Sequence, residues 1–437
     1  MSCTCLPSLS LSRLALGLWS AASLAGCGAP ADEAPSSANG FWFAERNGEL
    51  SHDLRDAVGS LGYAAGYEPA GERWSGLRIH EPDSAYLEPF LFSSGHEPAA
   101  FALLPDGTIE RRWSLDQSPN AVEEGPHLQH PTQHAWRRIQ ELPGGDLLVI
   151  HEGLCLMRLA PDSTIRWRAV PGAHHDLLVQ GDEAWVLDRS ISPPTPRERA
   201  WLGDVDVPIT RDGLVRIAIK DGRVLERASI TELPGDGSWE PLYREALLRA
   251  RRVEIGDKGQ DGELREALDP LHANALATLD PSRSVPTVFL RETGSFLDLA
   301  ADLSRVDGLR SGPFIGAHDP QPDPVTGGVL LFDNFGDHTI GSQVISISRD
   351  KRTAEVLFKG TPEAPLFSPV CGAVLPLPGD RLLIVESTAG RAIQIDRSGK
   401  ILWEFRSPFR IPEEDLVAVL LDMRPAETLE SGLPAVR

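Results

Sequence analysis

Leu104-Pro-Asp-Gly-Thr-Ile-Glu-Arg-Arg-Trp113 sets a tight Asp-Gly turn ahead of a strand, and the rest of the chain repeats the plan. It returns in Ala160-Pro-Asp-Ser-Thr-Ile-Arg-Trp167, Lys220-Asp-Gly-Arg-Val-Leu-Glu-Arg227 and Arg397-Ser-Gly-Lys-Ile-Leu-Trp-Glu-Phe405, and three of the four strands carry Trp. A second plan precedes two of these turns: Leu142-Pro-Gly-Gly-Asp-Leu-Leu-Val-Ile150 and Leu377-Pro-Gly-Asp-Arg-Leu-Leu-Ile-Val385. Turns of this type join antiparallel strands, because Gly and Asp accept the backbone angles a tight hairpin needs. Hairpins recurring at a long period indicate blades stacked about an axis. The expected fold is all-β: a six-bladed β-propeller whose blades begin near Tyr86, Trp136, His175, Leu271, His318 and Cys371.

Residues 231–270 break the pattern between the third and fourth blades. Trp239 to Val253 carries Leu242, Ala246, Leu247 and Ala250 at helical spacing, and the charged run Glu254 to Glu266 follows, so a helical insertion is expected there. Upstream, residues 28–40 are small, polar and Pro-containing, as a tether is, and the spacing of Leu54, Val58 and Leu61 predicts a short helix within Glu49 to Ala65. The expected domains are a signal over residues 1–26, a tether and lid segment over 27–85, the propeller over 86–410 and a tail over 411–437.

The signal reading rests on the apolar run Leu14 to Leu24 after Arg13, closed by Leu24-Ala-Gly-Cys27. That ending resembles a bacterial lipoprotein signal, which implies cleavage before Cys27 and acylation of its thiol. Gly28 is not the aspartate that commonly retains such proteins at the inner membrane, so the expectation is a lipid-anchored protein of the cell envelope, sorted to the outer membrane. No later stretch is apolar for the roughly 18 residues a membrane-crossing helix needs. Cys155 and Cys371 remain in the body of the chain, and they are expected not to pair.

At 437 residues and 41% hydrophobic, the chain is long enough to bury a large core. A net charge of −21 argues against nucleic acid, or an anionic lipid surface, as the main partner. It leaves the sign of any cleft undetermined, and nothing in the sequence excludes a homo-oligomer.

Three histidines fall at equivalent blade positions: His175 in Gly172-Ala-His-His-Asp-Leu177, His272 in Leu271-His-Ala-Asn-Ala-Leu276, and His318 in Gly312-Pro-Phe-Ile-Gly-Ala-His-Asp319. Imidazole is a common metal ligand, and Asp176, Asp319 and Asp323 stand nearby in sequence, so a metal-dependent propeller hydrolase is one reading. Arg291, at the end of the strand in Thr287-Val-Phe-Leu-Arg-Glu-Thr293, points the other way. A guanidinium is repelled by a metal cation, whereas Arg among several His suits a tetrahedral oxyanion. A non-catalytic binding lipoprotein on the same scaffold is the third reading, and spacing alone does not choose among them.

From about Tyr86 to Pro408 these segments resemble those of the bacterial arylsulfate sulfotransferase family. The likeness is carried by Gly-Ala-His-His-Asp176, Leu-His-Ala-Asn274 with an Arg-bearing strand after it, His318-Asp with Leu-Leu-Phe-Asp-Asn334, and the closing Ser368-Pro-Val-Cys-Gly372, Glu386-Ser-Thr-Ala-Gly-Arg391 and Gly399-Lys-Ile-Leu-Trp-Glu404. The resemblance implies transfer of a sulfuryl group from an aryl sulfate to a phenol, without cofactor or metal, by a ping-pong mechanism. It implies His318 as the nucleophile, His175 and Arg291 as holders of the sulfuryl oxygens, and His272 as the group that exchanges a proton with the phenol. His174 and Asn274, their neighbours in sequence, are expected to contact substrate. The chain departs from the family at Ala317, where Gln is common, and in Phe289-Leu-Arg-Glu292, where Ser commonly precedes Arg.

Overall fold

A computed structural model describes residues 66–115, 135–203, 207–235, 237–252, 267–312, 314, 316–337, 341–350, 353–411 and 415–427. The signal, Cys27, the helix expected within residues 49–65 and the charged run 254–266 lie outside the described residues.

The chain folds into antiparallel sheets taken up one after another. The second sheet contains Trp136–Glu141, Leu147–His151, Cys155–Leu159 and Ile165–Ala169, and the third Ala173–Gln180, Glu183–Ser192, Ile209–Ala218 and Val224–Ser229. The fourth contains Ala273–Ala277, Thr287–Leu290, Ser295–Leu299 and Val306–Ser311, and the fifth His318–Pro322, Val329–Asp337, Gly341–Ile347 and Ala354–Lys359. The sixth contains Ala373–Leu377, Arg381–Glu386, Arg391–Asp396 and Ile401–Arg406, with Gly76–Ile79 added at its outer edge. In the first sheet, Phe90–Ser94, Ala99–Leu103 and Ile109–Ser114 are preceded spatially by Leu420–Pro425, from the far end of the chain. The leading strands of successive sheets touch in order, and a strand of the sixth sheet meets Leu420–Pro425, so the ring closes as a β-propeller. A small sheet of Gly66–Pro69, Leu416–Ala418 and Arg410–Ile411 stands apart from the ring order.

The turns quoted from the sequence fall where that reading placed them. Leu104 to Thr108, Ala160 to Thr164, Lys220 to Arg223 and Arg397 to Lys400 each join a third to a fourth strand, while Leu142 to Asp146 and Leu377 to Asp380 join a first to a second. Asp106, Asp162 and Asp221 each accept a hydrogen bond from the backbone N–H two residues on, at 2.8, 3.0 and 3.1 Å, which fixes the turn locally.

Each sheet packs face to face on the next, so its middle strands are covered on both sides and read as unbroken apolar runs. Leu147-Leu-Val-Ile150 and Leu382-Leu-Ile-Val385 are fully buried. Hydrophobic clusters lie between consecutive sheets: Leu148, Val186 and Val215 between second and third, Trp185, Val288 and Leu297 between third and fourth, Phe289, Phe296 and Leu331 between fourth and fifth. Phe332, Ile384 and Ile393 fill the next gap, and Phe92, Phe405 and Leu420 the one that closes the ring. Outermost strands alternate, as in Ile165–Ala169, because one face meets water.

Two expectations are corrected. Residues 411–437 are not simply a tail: Leu416–Ala418 and Leu420–Pro425 are strands, and Gly66–Pro69 and Gly76–Ile79 extend the sheets before residue 86. The closing strand has no hairpin partner nearby in sequence, so a search for local turns cannot find it. A chain ending at Ile411 is expected to be insoluble or unfolded by circular dichroism. It loses Leu420 and Met423, both fully buried and worth about 1.5–3 kcal/mol each, together with the ladder that closes the ring.

Helix α1, Pro196–Leu202, is a second insertion, lying between two strands of the third sheet. Thr195 caps it and Glu198 returns the bond to the Thr195 backbone. Helix α2, Trp239–Arg251, is the insertion expected from sequence, but its buried face is Trp239, Tyr243, Ala246 and Leu247, while Leu242 and Ala250 are only partly covered. Tyr243 turns inward because its hydroxyl reaches Glu198, which also holds Arg211. No helix among the described residues is long and apolar enough to cross a membrane.

Candidate functional site

The leading strands of the third to sixth sheets begin with a backbone irregularity. His175, His272, Asp319 and Cys371 all have positive φ, at 57°, 51°, 50° and 61°. Non-glycine residues in this region cost about 1–3 kcal/mol each and persist where the surroundings over-determine them. Register shifts between Ala173 and Leu177, Ala273 and Ala275, and His318 and Gln321 mark bulges at the same points. Bulged strands aim consecutive side chains in directions a regular strand forbids.

A small pocket opens at these strand starts, lined by Arg137, Arg138, His175, Asn274, His318, Asp319, Gly372, Ala373 and Leu421. Gly372 is required there: its φ is +126°, and a Cβ would lie 2.5 Å from the ring of Phe332.

His318 is fixed by Asn334. The Asn334 amide nitrogen donates to the carbonyls of Ser368 and Cys371, both at 2.6 Å, so its Oδ1 faces His318 Nδ1 at 2.8 Å. An amide oxygen only accepts, hence Nδ1 carries the proton and Nε2 keeps its lone pair. Burial, with Arg291 and Arg137 nearby, pushes the His318 pKa well below the usual histidine value, so the ring is neutral at physiological pH.

His175 and His272 meet with their Nε2 atoms 2.8 Å apart. Two facing lone pairs repel at that distance, so a proton lies between them. On the outer sides, His272 Nδ1 is 2.5 Å from Asp269 Oδ2 and His175 Nδ1 is 3.1 Å from Glu152 Oε1. Burial depresses both histidines, more strongly His175, while the two carboxylates balance the charge of a proton held by the pair. Against the cost of burial, Arg189 and then His272 hold the Asp269 carboxyl far below the normal range.

Arg291 sits one residue past the strand Thr287–Leu290, in the turn Arg291–Thr293 that Gly294 closes. Its backbone N–H donates to His272 O at 3.1 Å and its Nη1 is 3.5 Å from His272 Nε2. Arg249 of helix α2 donates to the neighbouring Glu292 carbonyl. The insertion therefore braces the site twice, through Arg249 and through Asp269.

The structure thus gathers His175, His272, Arg291 and His318, from three consecutive sheets. Asn274 lines the pocket, with Nδ2 donating to Ala317 O at 3.1 Å and Oδ1 buried without a protein partner. His174 is not brought to the pocket: its Nε2 is 3.3 Å from Asp212, which also accepts from Arg189 and from the Ala273 backbone. The carboxylates that a metal reading requires are engaged elsewhere, Asp176 and Asp319 by Arg138 and Asp323 by Arg397. Cys155 and Cys371 are both free and buried, and burial raises the Cys155 thiol to about 11.

Sequence reading missed Arg137, Arg138, Glu152 and Asp269. The pair Arg137-Arg138 had a signal, two arginines directly after a fully buried Trp136 in a leading strand; Asp269 had none, since it follows an irregular charged run. Asp269→Asn is expected to lower kcat of any reaction that uses the His175–His272 proton by about 10-fold to 100-fold, with KM little changed. It also lowers the His272 pKa further, so the alkaline limb of the pH–rate profile, already below the ordinary histidine value, moves to still lower pH, which steady-state kinetics across pH 4–8 would register.

No protein-family model and no curated protein matches the chain. Among solved structures, a protein of unknown function from Bacteroides caccae is similar at 10% identity and TM-score 0.46, covering 77% of this chain and 98% of its own. A catalytically inactive virginiamycin B lyase from Staphylococcus aureus, with quinupristin, is similar at 10% identity and TM-score 0.40, with 76% and 88% covered. BamB from Moraxella catarrhalis is similar at 10% identity and TM-score 0.35, with 77% and 88% covered. Likeness at this level lends none of their activities to this chain.

Proposed function

We propose that this chain is a six-bladed propeller enzyme, each large sheet being one blade, that transfers a sulfuryl group from an aryl sulfate to a phenol through a sulfurylated His318. The observation that carries the reading is the fixed tautomer of His318: a neutral imidazole in a pocket that His175 also lines, with Arg291 and His272 close enough to lower its pKa. Nε2 attacks sulfur, the N–S bond forms and the S–O bond to the aryl group breaks. The departing phenolate takes the proton shared by His175 and His272. In the second half-reaction an acceptor phenol returns a proton to that pair, its oxygen attacks the sulfur, and the N–S bond breaks to restore neutral His318.

Sulfuryl transfer, like phosphoryl transfer, needs positioning and stabilisation of charge spread over three oxygens more than covalent work by the protein. Arg291 supplies donors for those oxygens, whereas His175, expected to do the same, has its two ring nitrogens turned to Glu152 and to His272. Asn274 Oδ1, which only accepts, suits the hydroxyl of the acceptor.

The test is transfer from 4-nitrophenyl sulfate to a phenol by protein lacking residues 1–27. Nitrophenol release that requires the acceptor and survives EDTA supports the reading. Release abolished by EDTA favours a metal hydrolase, and no release from any aryl sulfate by folded protein favours a binding protein. We further propose that Cys27 carries the lipid anchor, at the outer membrane; incorporation of labelled palmitate that persists in Cys27→Ser would overturn this.

A further inference from the structure

Arg138 lies in the second sheet, yet its guanidinium reaches three others. Nε donates to Asp176 at 2.6 Å, Nη2 to Asp319 at 2.9 Å and Nη1 to Asp422 at 3.0 Å. These aspartates come from the leading strands of the third, fifth and first sheets, and each is at most 5% exposed. Each also accepts a backbone N–H from the next sheet: Asp176 from Leu276 at 2.8 Å, Asp319 from Val374 at 3.2 Å and Asp422 from Ile139 at 3.0 Å. One side chain therefore ties the leading strands of all six large sheets, alternate ones through a carboxylate and the rest through that carboxylate's backbone partner.

Two of the three aspartates directly follow a pocket histidine, Asp176 after His175 and Asp319 after His318. The third, Asp422, follows Leu421, which lines the pocket without titratable chemistry. At the positive-φ bulges, a histidine that reaches the pocket and an aspartate that reaches Arg138 are consecutive on one stiffened piece of backbone.

We propose that Arg138 is the positioning residue of this site, holding His175 and His318 at a fixed separation by gripping the aspartate next to each. The rigid planar fork serves three carboxylates at three angles, which an ammonium group does not reproduce. The consequence for chemistry rests on the sulfuryl-transfer reading; the consequence for geometry does not.

Asp422 provides the internal comparison, since a purely structural knot weights all three acids alike. The experiment compares Asp176→Asn, Asp319→Asn and Asp422→Asn, with Arg138→Lys beside them, by thermal melting, by side-chain spectra of 15N-histidine-labelled protein and by transfer from 4-nitrophenyl sulfate. Asparagine retains an acceptor for the backbone N–H, so these variants fold even if Arg138→Lys does not. The expected result is that Asp176→Asn shifts the His175 ring signals and Asp319→Asn those of His318, each lowering kcat at least about 30-fold, whereas Asp422→Asn leaves both rings unshifted and costs about 3-fold or less at a similar loss of Tm. Equal shifts and equal losses in all three would overturn the proposal and leave a structural knot. A wild-type protein that transfers no sulfuryl group but shows this selective pattern of shifts would sink the function reading and leave the positioning role standing.

Discussion

If the chain transfers sulfuryl groups as proposed, His318→Asn is expected to eliminate transfer while leaving the protein folded. Removing the nucleophile of a double displacement leaves no covalent intermediate, and the expected loss in kcat is ~10⁴-fold or greater, against the assay floor. The variant forfeits one hydrogen bond to Asn334, worth about 1 kcal/mol, so the thermal midpoint falls by only a few degrees. Mass spectrometry of the wild-type protein with donor and no acceptor should show a sulfuryl adduct on the peptide bearing His318; an adduct elsewhere, or full activity in the variant, refutes the assignment. The pH dependence follows from burial. His318 must be neutral to attack, and its folded-state pKa lies well below 6.5, so the acid limb of kcat falls below that pH, not at it. Stability moves in the same direction. A histidine buried neutral is disfavoured once the unfolded chain begins to bind protons near pH 6.5, so the contribution of His318 is present above that value and is lost as pH falls below it.

Arg291→Met lowers kcat/KM by about 10²-fold to 10³-fold, most of it in kcat. The guanidinium is 3.5 Å from His272 Nε2 and close enough to His318 to depress its pKa; in the proposed reaction it meets negative charge developing on the sulfuryl oxygens. Two signs distinguish this from lost packing. The His318 pKa rises when the neighbouring cation is removed, so the acid limb moves to higher pH. Arg291→Lys restores charge without the planar fork, and so recovers only part of the rate. A methionine variant with unaltered kcat would exclude any contact between Arg291 and the transferred group.

The sequence carried the scaffold because its determinants are local. An Asp-Gly turn between apolar runs dictates a hairpin wherever it occurs, and Leu142 to Ile150 and Leu377 to Val385 could be placed in equivalent turns before any contact was known. The same holds for the start of helix α2, written in the spacing of its apolar residues, although its buried stripe turned out to include Tyr243. That rotation is decided by Glu198, a residue 45 positions away whose carboxylate draws the phenol inward.

The histidines and Arg291 were legible as residue types at repeating blade positions. Which of them meet was not, because that depends on the ring. His174 and His175 are adjacent and look interchangeable in sequence, yet the left-handed backbone at His175 sends one ring to His272 and the other to Asp212. The proton between His175 and His272, the tautomer of His318 and the grip of Arg138 on three aspartates each join residues 16 to 284 positions apart. The sequence by itself determined the hairpins, the apolar middle strands and the inventory of imidazole and guanidinium groups, since short-range sterics and burial dictate these. Only the tertiary structure decided the closing strand, the pairing of the site's hydrogen bonds and the protonation they impose, because those follow from closure of the ring and from burial that no local pattern encodes.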